Sequence, residues 1–208
     1  MTRRWKIDGV PSAHQLREIG DVLTRGGVVL MPTDTIYGLH ALANDAQSIA
    51  SLAKLKGRDE KPFVVVAKSL DEIESIGVIL SPSNRTALNS LWPAPLTAIA
   101  RTRNPIAAAR GSDAIAVRVP DLVWLRELLA LTGPLASTSA NKSGEPHVSQ
   151  PDDLAREMLD ALDGIVDAGP SNGKPSAIVD FTSDEPRVVR AGEDLFTQKL
   201  RKTLRKSL

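Results

Sequence analysis

Short runs of apolar, mostly β-branched residues alternate along the chain with longer stretches in which apolar positions recur every three or four residues. The short runs "GVVLM", "FVVVA", "LTAIA", "AIAVRV", "IVDAG", "SAIVDF" and "RVVRA" predict strands. Several longer stretches open on helix start signals, where a side-chain oxygen accepts from N–H groups that the first turn leaves unpaired. Ser12 with Gln15 and Ser69 with Glu72 fit capping boxes, and Ser81 before Pro82 fits a cap with proline at the first helical position. Strands interleaved with helices predict an α/β fold with a mixed sheet. "FVVVA" lacks polar alternation and is expected to be covered on both faces, whereas "RVVRA" reads as an edge or mouth strand.

Pro and Gly are scattered as turn punctuation, with no internal repeat and no low-complexity linker, so residues 1–208 are expected to form one domain. The tail "EDLFTQKLRKTLRKSL" has helical spacing, with Lys199, Arg201, Lys202, Arg205 and Lys206 on a basic face. It reads as a solvated terminal helix whose cations complement its dipole, or as a contact for a nucleic acid or a partner.

Composition removes several classes of function. Twenty-six Lys and Arg against twenty-five Asp and Glu leave a formal charge of +1, so no global basic field marks a nucleic-acid binder, although local patches remain open. The absence of cysteine removes disulfides, thiolate metal sites and cysteine nucleophiles, and is compatible with a reducing compartment. "MTRRWKIDGV" has no apolar segment behind its basic residues, and no stretch approaches the roughly 20 apolar residues of a membrane span. A soluble, unprocessed, cytoplasmic protein with no membrane contact is expected.

The common catalytic signatures are absent. "GPSNGKPS" is one residue short of a Walker A loop and has Pro175 where Ser or Thr should open the helix, and no G-x-G-x-x-G exists. His14, His40 and His147 are far apart, no H-E-x-x-H or G-x-S-x-G occurs, and no metal-ligand set is expected. His14 reads as a surface residue in the first turn of a helix, while His40 and His147 read as loop residues beside other polar candidates.

Five polar clusters lie instead next to strand ends, where open α/β sheets place ligands. "PTDTIYG" gathers Thr33, Asp34, Thr35 and Tyr37. In "KLKGRDEKP", Lys56 and Arg58 straddle Gly57 and could offer two cations to one anion, or simply end a helix. Arg118 interrupts the apolar strand "AIAVRVP", which calls for an anionic partner, an open cleft or a structural salt bridge. "PLASTSANKSG" ends a strand with Ser137, Thr138, Ser139 and Asn141. "GKPSAIVDF" and "VVRAG" place Ser176 at a strand start and Arg190 on an edge strand.

Taken in order, "PTDTIYGL", "KLKGR", "LWPAPLTAI", "AIAVRVP", "PLASTSANKSGEP", "IVDAGP", "SAIVDF" and "VVRAG" resemble the YrdC family of threonylcarbamoyl-AMP synthases, also called TsaC, from about Val10 to Asp194. The resemblance implies a single-domain form with a twisted mixed sheet flanked by helices and a concave, positively charged cleft; the basic tail helix expected over 195–208 lies beyond the span it covers. It implies that L-threonine, bicarbonate and ATP, with Mg²⁺ held mainly by phosphate and water, give threonylcarbamoyl-AMP and pyrophosphate. The product would pass to a TsaD-type transferase that makes N6-threonylcarbamoyladenosine (t6A) in tRNA.

Carried over by residue, Thr35 would contact the substrate threonine, with Thr33, Asp34 and Tyr37 shaping the same wall. Arg118 would take the amino-acid carboxylate, and Ser137 and Ser176 would complete that pocket. Lys56 and Arg58 would be the catalytic cations on the ATP phosphates, with Ser139, Asn141, His147 and Arg190 on the nucleotide side. The chain departs from common family residues at His40, Ala94, His147, Pro175 and Ala177, which bears on pocket detail and substrate strictness. The rival readings are a non-catalytic module for tRNA or double-stranded RNA, and a relative using another carbamoyl or acyl-adenylate substrate.

Overall fold

Strand side chains alternate between two faces, and here that alternation divides one continuous sheet into a covered core side and a partly open side. In the computed structural model, which describes residues 2–57, 61–103, 106–142, 144–171 and 173–204, the elements run β1 (Arg3–Lys6), α1 (Ala13–Thr24), β2 (Val29–Pro32), β3 (Tyr37–Leu42), α2 (Ala46–Lys56) and β4 (Val64–Val66). They continue with α3 (Leu70–Ser75), β5 (Val78–Ile79), α4 (Pro82–Leu91), β6 (Leu96–Thr102), β7 (Ala114–Arg118), α5 (Val123–Thr132) and β8 (Leu135–Ser139). The last are α6 (Arg156–Asp160), β9 (Gly164–Asp167), β10 (Ala177–Asp180), β11 (Arg187–Arg190) and α7 (Asp194–Leu204).

The strands pair in the order β1-β9-β2-β3-β8-β4-β7-β6-β10-β11, with β5 joined to β6. Parallel pairs such as β4 with β7 sit beside antiparallel pairs such as β3 with β8, so the expected mixed α/β sheet is observed. β11 lies at one end of the order, the edge position expected for "RVVRA", whose arginines flank two valines.

One face is covered along its length. Leu39, Val65, Ala98, Val117, Ala136 and Val179 pack there against Ile49 and Leu52 of α2, Ile73 of α3 and Leu88 of α4. On the other face, α1 and α5 cover only part of the sheet, burying Val29, Met31, Leu135 and Val166 under Ile19, Leu23, Leu125 and Leu128. The uncovered part carries Gly38, Val64, Thr97, Ala116, Arg118, Ser137 and Ser139, each in the register opposite to the core residues beside it. Val64 is therefore only half-buried, and "FVVVA" is not closed off on both sides as expected.

Several local details differ from expectation. β1, β3 and β5 were not expected as strands: β1 is mostly charged, β5 has two residues, and β3 ("YGLHAL") carries a glycine and a histidine. Pairing on both sides, to β2 and β8, makes β3 a strand and places His40 inside it rather than in a loop. The Ser12–Gln15 capping box is complete, and Ser81 caps α4 ahead of Pro82. Ser69 accepts from Glu72 N, but the Glu72 carboxylate turns to Lys68 N, so only half of that box forms.

His14 is on the surface as expected, beside Glu18. The tail helix α7 is docked rather than wholly solvated, for Leu200 is fully buried and the helix packs on α4; Arg205 and Lys206 lie outside the described residues. Among the described residues, no helix is long and apolar enough to cross a membrane.

Candidate active site

The uncovered face forms a cavity of about 510 Å³. Its wall joins Thr33 and Thr35 from the β2–β3 turn, Arg118 from β7, Ser137 and Ser139 from β8, Asn141 and His147 from the following loop, Ser176 before β10 and Arg190 from β11. These segments are spread along the chain from Thr33 to Arg190, and the sheet order supplies the convergence.

Arg118 organises one side of this wall. Its side chain is almost wholly buried; Nη1 donates to Thr35 Oγ1 at 2.9 Å, and Nη2 donates to the buried Asp34 carboxylate. Asp34 is itself held by the Asp121 N–H at 3.0 Å. Thr33 Oγ1 accepts from the N–H groups of Thr35 and Ile36 and donates to Ile36 O at 2.9 Å, which closes the turn. Burial lowers the affinity of Arg118 for its proton, the Asp34 charge and hydrogen bond oppose that, and Arg190 lowers it again. An arginine nonetheless stays charged. Its Nε is buried and has no hydrogen-bond partner among the described residues, leaving one donor of the buried cation unsatisfied.

The residues expected on a nucleotide side are tied together differently from expectation. Lys56, at the end of α2, is 5% exposed, and its Nζ donates to Ser139 O at 2.8 Å, Asn141 O at 2.7 Å and Asn141 Oδ1 at 2.5 Å. Its ammonium thus braces the "SAN" turn. Arg58, the other expected phosphate cation, lies outside the described residues. On the far wall, Arg190 donates from Nε and Nη2 to Ser176 O at 3.0 and 2.8 Å, and Ser176 Oγ lies 2.8 Å from Thr97 Oγ1. Thr97 joins the cavity wall without belonging to any of the five polar clusters, and its signal in the sequence is a lone hydroxyl in a strand whose next positions are apolar.

Two other residues behave differently from a simple lining role. Tyr37 belongs to the fully covered core, and its hydroxyl donates to Gly169 O at 2.8 Å and accepts from Ala168 N at 3.0 Å, so that hydroxyl is not free for a ligand. His147 is exposed at the cavity rim. The buried His40 sits behind Ser137, with Nε2 at 3.1 Å from Ser137 Oγ and Nδ1 at 3.0 Å from Gly38 O. Burial pulls its pKa down to about 4; the carbonyls of Gly38 and Val29 offset part of that, and the charge of Arg118 adds to it. Among the described residues, no three His, Cys, Asp or Glu side chains gather into a group able to hold a metal ion.

A second cavity, about 610 Å³, lies beside the end of α2 and is lined by Lys54, Lys56, Lys142, Glu157 and Asp163, so Lys56 borders this space and is not among the residues lining the first cavity, contrary to expectation. It contains none of the hydroxyl and arginine cluster.

A family model for Sua5/YciO/YrdC, described as telomere recombination, matches residues 21–192. A putative threonylcarbamoyl-AMP synthase of Mycobacterium leprae is 37% identical over 177 residues, 82% of this chain and 79% of that protein. The threonylcarbamoyl-AMP synthase of Bacillus subtilis is 28% identical over 201 residues, covering 92% of this chain, which spans only 58% of the Bacillus protein's length. The crystal structure of P. abyssi Sua5 complexed with L-threonine superposes with a TM-score of 0.84 at 27% identity, covering 92% of this chain and 58% of that one. Escherichia coli YciO shares the fold, with a TM-score of 0.82 at 23% identity over 92% of this chain and 96% of its own. With the family model covering most of its length, the chain belongs to the Sua5/YciO/YrdC family.

Proposed function

We propose that the chain makes threonylcarbamoyl-AMP and pyrophosphate from L-threonine, bicarbonate and ATP, as a cytoplasmic nucleotidyltransferase serving t6A formation in tRNA. The observation that carries this reading is the single cavity in which a buried arginine with an unsatisfied Nε faces hydroxyls from four separate segments. The threonine-bound relative of the same fold supports the choice of amino acid.

The amine of threonine adds to bicarbonate with loss of water, giving a carbamate. A carbamate oxygen then attacks the α-phosphorus of ATP, and pyrophosphate leaves. That nucleophile is already anionic, so the step needs no general base. The one imidazole behind the wall, His40, is held near pKa 4 and would be a poor base at neutral pH. The demand is instead for alignment and charge neutralisation. Arg118 takes the amino-acid carboxylate, with Thr35, Ser137 and Ser176 around the rest of the substrate.

Ser139, Asn141, His147 and Arg190 line the nucleotide side, and Lys56 and Arg58 add positive charge beside the phosphates. To touch a phosphate directly, Lys56 would exchange one of the turn oxygens it now holds. Mg²⁺ bound with the triphosphate would offset part of its charge. The mixed anhydride formed is reactive, which requires a TsaD-type transferase and tRNA downstream.

The test is to incubate the protein with ATP, Mg²⁺, bicarbonate and each amino acid in turn, following pyrophosphate release and the adenylate adduct. Threonine-selective release is expected. No release with any amino acid, together with salt-sensitive binding of double-stranded RNA, would overturn the enzyme reading.

A further inference from the structure

His40 and Ser137 form a pair whose proton positions follow from geometry. Gly38 O can only accept, so the 3.0 Å contact requires His40 Nδ1 to carry a hydrogen. The ring is fully buried and its pKa is depressed to about 4, so at neutral pH it holds one proton and Nε2 is a lone pair. The Ser137 hydroxyl, 3.1 Å away, must therefore donate to Nε2. Serine has one hydrogen and two lone pairs, and Ser137 is half-buried on the cavity wall, so what remains for a ligand is acceptor only.

The arrangement is not that of an activated nucleophile. An imidazole held near pKa 4 has little tendency to take the serine proton at neutral pH, and the hydrogen bond fixes direction rather than reactivity. The ring is also locked in place: a Cβ on Gly38 would lie 2.9 Å from His40 Cε1, so residue 38 leaves room for the imidazole only as glycine.

The rest of the wall makes an acceptor here informative. Arg118 and Arg190 can only donate, and Arg118 keeps a buried Nε without a partner among the described residues. A wall with a guanidinium donor on one side and an obligate acceptor on another matches an α-amino acid, which brings both a carboxylate and an N–H.

We propose that His40 is a positioning residue that holds Ser137 as a hydrogen-bond acceptor for the amino nitrogen of the bound amino acid, so that the site rejects carboxylates lacking an amine. This rests on the threonine reading above. A site built to pair a ligand donor discriminates strongly against the analogue without it, because the acceptor is then left unpaired.

Calorimetric binding of L-threonine and of (R)-3-hydroxybutyrate, which is threonine without its amino group, reads this directly. In the unaltered protein threonine should bind more tightly by roughly tenfold or more. His40→Phe frees the Ser137 hydrogen to point into the cavity and should shrink that ratio by about tenfold, leaving the KM for ATP unchanged. His40→Gln, whose amide oxygen can again accept from Ser137, should restore the ratio.

Ser137→Ala removes the acceptor at a half-buried position and should lower the ratio as His40→Phe does, the double variant adding nothing further. If His40→Phe does not fold, Ser137→Ala decides alone. A ratio unchanged in the folded variants, or no threonine binding by the unaltered protein, overturns the proposal. Threonine binding without pyrophosphate release would instead overturn only the synthase reading.

Discussion

Asp34→Asn tests how the buried guanidinium is balanced. In the pair Arg118–Asp34 the two side chains are 8% and 6% exposed, and the Asp34 carboxylate also accepts from Asp121 N. Removing one partner of a buried pair typically costs about 3–5 kcal/mol, because the other charge stays buried. Asparagine keeps the shape and one acceptor, which points to roughly 2–3 kcal/mol. At about 2–4 °C per kcal/mol for a chain of this size, the melting temperature should fall by roughly 5–10 °C.

Threonine should reverse much of that loss. A ligand carboxylate sharing the guanidinium with Asp34 would sit roughly 5 Å from it, a repulsion of about 3 kcal/mol at an effective dielectric of about 20. Relief of even half of this predicts about tenfold tighter threonine binding in the variant, and a larger threonine-induced rise in melting temperature than in the parent. Thermal denaturation with and without threonine, alongside calorimetry, measures both. Weaker threonine binding, or a variant as stable as the parent, would refute the competition between Asp34 and the ligand carboxylate.

Three further outcomes follow from the same contacts. The pKa of His40 is lowered from an unfolded value near 6.5 to about 4, so the unfolded chain binds the extra proton between these values. Stability from this group is complete above about pH 6.5 and declines by roughly 3 kcal/mol as pH falls to 4; urea titrations should show that slope, and His40→Gln should flatten it. Lys56→Met leaves Ser139 O, Asn141 O and Asn141 Oδ1 without the ammonium, at about 1–3 kcal/mol for each acceptor not re-solvated, so an unchanged urea midpoint would show that the brace is dispensable. At Gly173 a Cβ would fall 1.4 Å from Thr35 O, so Gly173→Ala must push the loop off the β2–β3 turn; threonine affinity should drop at least tenfold by calorimetry, with little change in melting temperature.

Most of the architecture was legible because strands covered on one or both faces leave plain apolar runs, and the hydroxyl caps of α1 and α4 mark their starts. β3 was hidden because the residues that make it useful, Gly38 and His40, are poor strand formers held in place by pairing on both sides. At the site, Arg118, Ser137, Ser139, Ser176 and Arg190 announced themselves as polar interruptions at strand ends, and all reach one cavity. What the chain could not reveal was direction: that the Tyr37 hydroxyl leaves for Gly169, that Lys56 grips the turn after β8, and that Asp34 sits on Arg118. Those depend on side-chain geometry across more than eighty residues of separation, which no local pattern encodes.

The division of β8 between its two sides has an evolutionary consequence. Ser137 and Ser139 serve the cavity while Ala136 and Ala140 fill the core behind them, so inserting or deleting a single residue between Pro134 and Asn141 would drive hydroxyls into the hydrophobic layer and methyls into the ligand space. Specificity in this segment can drift only by replacement at alternate positions, never by a change in length.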